Sequence, residues 1–289
     1  MSIDSLQEKI RKTKNPSVLE LSMTPEALPP QLTRMGAAGY GLFCRELLGE
    51  LKGLVPAVRI SFAAFALQGP EGLNELTLTL KEAAGQGYYV ILDAPELLSP
   101  ASAKHAAQAL LGDDGCFPCD GVVVSGYPGS DIFKPFLPYC SEKKKDLFVV
   151  VRTANKSAPE LQDLLTGSRL VHAAAADYVS RYGADTAGKF GYTRVGLLAA
   201  ASSAESLRTL RKKYPGMFLL LDGYDYPNGS ARNCSYAFDR LGHGAAVCGG
   251  TSITCAWSEA ESDGTDYLTQ ASAAAARMKK NLSRNVTVL

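Results

Sequence analysis

The stretch Ala57–Ala94, AVRISFAAFALQGPEGLNELTLTLKEAAGQGYYVILDA, decides the fold class. Its two ends, Ala57–Phe62 and Tyr88–Asp93, are β-rich runs of strand length. Between them Gly72–Gly85 carries a helical pattern. Strand, helix and strand in immediate succession form one βα crossover, the unit from which parallel sheets are built. Working outward, the same alternation continues in both directions. Further strand candidates are Ser17–Leu21, Gly121–Ser125, Phe148–Val151, Arg194–Ala199, Met217–Leu221 and Ala245–Cys248. Helical patterns include Ala101–Leu111, Ser203–Tyr214 and a long final helix from Tyr267 to Arg284. Eight strands, each followed by a helix-compatible segment, in a chain of 289 residues predict an α/β fold of the (β/α)8 TIM-barrel type. A doubly wound sheet is the competitor, but no G-x-G-x-x-G follows the first strand. No linker or compositional break marks a boundary, so residues 1–289 are expected to form one barrel domain, with an N-terminal helix within 1–16 and a C-terminal helix within 265–285.

Composition narrows the functional classes. Thirty Lys and Arg against 29 Asp and Glu leave a net charge of +1, which offers no bulk field for nucleic acid or an anionic membrane. Hydrophobic residues at 46% and charged residues at 20% fit an ordinary globular chain. The apolar runs are strand-sized or interrupted, so no membrane span is expected. The opening MSIDSLQEKIRKTKN has no apolar segment of the secretory kind. Seven cysteines, an odd number spread along the chain, argue for reduced thiols and a cytoplasmic location.

In a barrel of this type chemistry gathers just past the strand C-termini. Those positions hold Glu20 and Ser22, Arg59 and Ser61, Asp93, Ser125, then Arg152, Thr153 and Asn155. Asp222 and Asp225 follow the seventh strand, and Gly249, Gly250, Thr251 and Ser252 the eighth. His105, His172 and His243 fall in helices or a bottom loop, so no histidine base is expected at the mouth. Each candidate has a plain structural alternative. Arg59 and Asp93 lie on neighbouring strands and could simply neutralise each other. Arg152, Thr153 and Asn155 serve either as turn and cap groups or as a ligand patch. Gly249–Ser252 is either a backbone anion cradle or a tight turn into a helix. Asp222 and Asp225 fit paired carboxylates or a divalent-ion site, and turn chemistry explains them as well. Cys116-Phe117-Pro118-Cys119 is a lone pair ahead of a strand, weak grounds for metal or redox work, and Cys248 reads as a buried small hydrophobe. No metal or cofactor is expected.

Several segments resemble orotidine 5′-phosphate decarboxylase, in particular its longer bacterial type 2 group. They are TPEALP at Thr24–Pro29, YYVILDA at Tyr88–Ala94, YPGSDIFKPFLPY at Tyr127–Tyr139, VVVRTANKSAPELQDL at Val149–Leu164 and AAVCGGTSITCAW at Ala245–Trp257. The resemblance runs in order over nearly the whole chain and implies the barrel, a homodimer and a nucleotide or other phosphorylated small molecule as ligand. At the catalytic positions the chain departs from it. The family's D-A-K-R-G-D is here Asp93-Ala94-Pro95-Glu96-Leu97-Leu98, so Asp93 remains, Pro95 replaces the proton-donating lysine and Leu98 the second aspartate. Arg59 stands at the second-strand lysine, Ser22 at the ribose-binding aspartate and Thr251 at the phosphate-gripping arginine, while Thr153 and Asn155 persist on the pyrimidine side around Ala154. The resemblance therefore implies a catalytically silent homologue with a binding or regulatory role linked to pyrimidine nucleotides. The alternatives are an active decarboxylase, or an enzyme of different chemistry on a phosphorylated ligand. A mouth plugged by Pro95, Leu97, Leu98, Phe62 and Phe65 is the observation that would separate binding from burial.

Overall fold

The computed structural model describes residues 2–97 and 99–289. Eight strands close into a barrel: β1 (Ser17–Leu21), β2 (Ala57–Ser61), β3 (Tyr89–Asp93), β4 (Gly121–Ser125), β5 (Asp146–Val150), β6 (Thr193–Ala200), β7 (Met217–Asp222) and β8 (Ala245–Gly249). Every neighbouring pair is parallel, and β1 closes the ring by pairing with both β2 and β8. The helices are α1 (Ile3–Thr13), α2 (Ala37–Glu50), α3 (Gly69–Gly85), α4 (Pro100–Leu111), α5 (Leu137–Glu142), α6 (Val171–Gly183), α7 (Ala204–Lys213), α8 (Ala231–Ser235) and α9 (Tyr267–Ser283), with shorter helical turns between some of them. The expected TIM barrel is the fold found. Most strand ends fall within a residue or two of those read from sequence. β5 begins earlier, at Asp146, and β6 extends one residue further at each end, with a register shift between Thr193 and Leu197.

Strand alternation sorts side chains between the barrel interior and the helical layer. On β3, Tyr89, Ile91 and Asp93 share one face, and Arg59 stands beside Ile91 in register. The interior therefore runs from Tyr89 and Asp146 at the strand starts, through Phe148 and Phe218, to Arg59 and Asp93 at the strand ends. Phe148 and Phe218 meet edge to face at 6.2 Å. Gly196 makes this pair fit, since a Cβ there would lie 2.7 Å from the Phe218 carbonyl oxygen and 3.1 Å from the Phe148 ring. At the strand starts Tyr89 donates a 2.5 Å hydrogen bond to the fully buried Asp146, whose carboxyl burial pushes up to about 8. Below them α1 buries Ile3, Leu6 and Ile10 against the barrel floor. No helix among the described residues is long and apolar enough to cross a membrane.

Candidate functional site

Position along β1, β2, β3 and β7 brings four charged side chains to the barrel mouth. Glu20 of β1 and Arg59 of β2 are register partners, so both project to the same side of the sheet. Arg59 donates from Nη2 to Asp93 at 2.8 Å and from Nη1 to Asp222 at 3.1 Å, and its Nη1 lies 3.5 Å from Glu20. One guanidinium thus faces three carboxylates. Burial works against the charge of Arg59, but Asp93, Glu20 and Asp222 more than offset it and raise its pKa further. Burial raises the Asp93 carboxyl, opposed by Arg59. Burial likewise carries Glu20 up to about 7, in spite of Arg59 and with Asp222 and Asp93 adding to the rise. Asp93 Oδ1 and Arg59 Nε have no hydrogen-bond partner among the described residues. Among the described residues no lysine bonds to Asp93.

Beside this cluster the glycine turn after β8 is already engaged. Asp225 Oδ2 accepts from the backbone N–H of Gly250 at 2.7 Å and of Ser252 at 3.3 Å. The loop that delivers Asp225 turns at Gly223, whose φ of +75° suits glycine, and the Gly223 N–H bonds Asp222 Oδ1 at 2.8 Å. Of the two readings of Gly249–Ser252, anion cradle or tight turn into a helix, the turn is the one seen, and its N–H groups are occupied by the chain's own Asp225 carboxylate. Thr251 is exposed at the start of the next helical turn, and Gly249 is buried against Met278 and Ile253. Ser22 donates to Glu20 at 2.8 Å. Ser22, Glu20, Asp222, Asp225, Tyr226 and Thr251 help line a pocket of about 170 Å³. The mouth is therefore open and polar on its β1–β7–β8 side. On the other side Pro95 and Leu97 are half-buried, Phe65 is fully buried edge-on to Tyr40, and Phe62 meets the Phe117 ring at 5.9 Å. Leu98, named with them from sequence, lies outside the described residues.

The candidates after β5 form a cluster of their own. Arg152 Nη2 donates to Asp163 at 2.9 Å and its Nη1 to the Thr153 carbonyl at 2.6 Å. Gln162 receives the Thr153 N–H at 2.8 Å and returns a bond to the Thr153 hydroxyl at 2.7 Å. Thr153 donates to Asn155, which donates to Ser157 at 2.8 Å. His172, in the first turn of α6, stands 3.2 Å from Asp163. These bonds order the loop. What remains open next to it is a cavity of about 770 Å³ whose lining includes Arg152, Asn155, Lys156, Ser203 and Tyr226. Ser125 stays apart, accepting from the Tyr127 N–H at 3.3 Å. Among the cysteines Cys116 is exposed, Cys119 donates to the Leu110 carbonyl from a buried position, and burial raises the Cys248 thiol well above its ordinary range.

Sequence reading named Arg59 and Asp93 as partners and offered Asp222 and Asp225 as paired carboxylates or turn groups, but placed Glu20 only in a general polar ring. The register of Glu20 against Arg59 was the usable signal for it. The roles of Gln162, Asp163 and His172 went unread, because each reaches its partners through a loop whose path local pattern does not record.

The barrel accords with comparisons against known proteins. An orotidine 5′-phosphate decarboxylase of Rhodopirellula baltica is 33% identical over 215 residues, covering 73% of this chain and 71% of that protein. The chain belongs to the orotidine 5′-phosphate decarboxylase family. A decarboxylase of the same description from Clostridium novyi is 25% identical over 98% of both chains. Among solved structures, the OMP decarboxylase of Leishmania donovani superposes with a TM-score of 0.71 at 20% identity, over 97% of this chain and 99% of that one. The UMP synthase of the same organism gives 0.78 at 21% identity, over 99% of this chain and 56% of that one. At such identity the two structures speak for the fold alone. No family model matches the chain.

Proposed function

We propose that this family member does not decarboxylate orotidine 5′-phosphate and acts instead as a binding or regulatory barrel, as a homodimer, in pyrimidine nucleotide metabolism. The observation that carries the reading is the set of partners of Arg59. Loss of CO2 from a pyrimidine carboxylate leaves a carbanion that an ammonium must stabilise and then protonate. At the mouth the cation beside Asp93 is a guanidinium with its charge held by Asp93, Asp222 and Glu20, and a guanidinium is a very poor proton donor. Pro95, at the position where the resemblance puts the donor, has no titratable group. The backbone cradle that could hold a phosphate is filled by Asp225. The test is turnover of orotidine 5′-phosphate by purified protein, followed by ultraviolet absorbance, with growth rescue of a strain lacking the enzyme. No turnover above the protein-free rate and no rescue are expected, and family-like rates would overturn the proposal. Sedimentation velocity tests the homodimer.

One observation favours a second reading, an enzyme of different chemistry. Glu20 holds its proton up to about pH 7 at the edge of the mouth pocket, the condition of a general acid. Turnover of a phosphorylated substrate that falls above pH 7 and is abolished in Glu20→Gln would establish it.

A further inference from the structure

The loop after β5, α6 and the start of α7 bring four polar side chains into one line. Asp163 Oδ2 is held by Arg152 at 2.9 Å, and its Oδ1 lies 3.2 Å from His172 Nδ1. His172 is 4% exposed, and its Nδ1 also faces the Gln162 carbonyl at 3.0 Å. Two acceptors on that side place the proton of the neutral ring on Nδ1 and leave Nε2 as an acceptor. Ser206 Oγ lies 3.4 Å from Nε2, and Ser203 donates to Ser206 Oγ at 2.8 Å. Ser203, at the outer end of the line, borders the cavity of about 770 Å³. The histidine that sequence reading set in a helix away from the mouth is thus connected to it by two hydroxyls.

Ordering the loop does not account for the two serines, since Gln162 and Asp163 already tie it to Thr153 and Arg152. Ser203 is the N-cap residue of α7, where a serine ordinarily accepts from a helix N–H, yet its side chain caps none. Its hydroxyl is engaged instead with Ser206, whose own proton has His172 Nε2 as its acceptor. A hydroxyl backed by an imidazole and a carboxylate is the arrangement that makes serine a nucleophile toward carbonyl carbon. Here one further hydroxyl stands between the serine and the ring. The 3.4 Å separation is long, but such bonds tighten once substrate is in place. The cavity meets α7 at its N-terminal end, where backbone N–H groups favour the charge that develops on a carbonyl oxygen. Tyr226, Pro159 and Pro227 give the cavity an apolar wall, and Asn155 and Asn228 give it polar groups.

We infer that Ser203 is a nucleophile for small carboxylic esters, with Ser206, His172 and Asp163 as its proton relay. Ser203 Oγ bonds to the ester carbonyl carbon as its proton passes to Ser206 and that of Ser206 to His172 Nε2. The carbonyl π pair moves onto oxygen. Its return breaks the bond to the leaving alkoxide, which takes a proton from Ser206 as His172 resupplies it. Water attacks the acyl-Ser203 by the same route and releases the acid. The Arg59 cluster takes no part, so the inference is independent of whether the mouth decarboxylates. The test treats the full chain with diisopropyl fluorophosphate, whose fluoride Ser203 displaces, and reads the adduct by intact mass and peptide mapping. Release of p-nitrophenolate from p-nitrophenyl acetate gives the turnover. An adduct on Ser203 alone is expected, and Ser203→Ala should lose both adduct and turnover. Ser206→Ala and His172→Gln should each slow labelling by about a hundredfold. Ser206→Thr keeps a hydroxyl and should restore the rate, which a merely structural role of Ser206 would not require. Circular dichroism checks the fold of each variant. No adduct on the native chain, an adduct on another residue, or labelling of Ser206→Ala at the native rate would overturn the inference.

Discussion

Arg59 concentrates the physics of the mouth in one side chain. It is 6% exposed and holds Asp93, Asp222 and Glu20 in place by charge. Removing one partner of a buried ionic group leaves the others uncompensated, at a cost of about 3–5 kcal/mol. Arg59→Met is therefore expected to lower unfolding free energy by that order in urea titration, and Asp93→Asn by less, because Asp222 and Glu20 remain on the guanidinium. Glu20 and Asp146 set a pH dependence of defined sign. Both hold their protons more tightly folded than unfolded, Glu20 to about 7 from an ordinary 4.5 and Asp146 to about 8 from 3.8. Their contribution is complete below the unfolded values and is lost as pH rises through the folded ones. The thermal midpoint should fall between pH 5 and pH 8, and Glu20→Gln should flatten that fall. At about 1.4 kcal/mol per pH unit the Glu20 share is at most about 3 kcal/mol, and the 16% of its side chain that meets solvent reduces it. Asp225 offers a third test at this scale. Asp225→Ala frees the Gly250 and Ser252 N–H groups, and it should cost about 1–2 kcal/mol of stability while raising phosphate affinity at the mouth, measured by calorimetry. The sequence let Arg59 and Asp93 be paired, since adjacent parallel strands put them near each other. Asp222 could not be placed against them, because its strand reaches Arg59 across the barrel interior and not through a neighbouring ladder.

At the level of elements, strands and long helices were legible because their hydrophobic periods are strong, and YYVILD or GVVVS admits little else. Ends were less legible. Asp146 opens β5 although an aspartate is a poor strand residue, and what holds it there is Tyr89 from a strand remote in sequence. The loop from Arg152 to Asp163 shows the other limit. Its Thr, Asn and Ser residues suggested a turn or a ligand patch with equal force, and only the bonds to Gln162 and Asp163 distinguish them. Arg152→Ala should loosen this loop, speeding limited proteolysis within it while the barrel's far-ultraviolet dichroism stays unchanged. Gly196 tests the interior packing: Gly196→Ala places a methyl 2.7 Å from the Phe218 carbonyl, and over-packing of this kind costs about 1–3 kcal/mol, visible as a lowered melting temperature.

The whole molecule gathers an acidic cluster at one end. A formal charge of +1 conceals Glu20, Asp93, Asp222 and Asp225 collected near Arg59 at the strand C-termini. That concentration was invisible in the composition, because a total has no direction. It has a measurable counterpart, since added salt should screen the repulsion of an anionic ligand from the mouth pocket and so strengthen its binding there, read by calorimetry.

Cys116 gives this molecule a convenient reporter. It is the one exposed thiol among the described residues, Cys255 being half-buried, and Phe117 beside it packs on Phe62, the residue that follows β2 at the mouth. A maleimide fluorophore would therefore react first next to that ring pair, ahead of the half-exposed Cys255 and the buried thiols. Its emission would register rearrangement around Phe62 without altering any side chain of the acidic cluster, so filling of the mouth could be followed by fluorescence in one labelled sample.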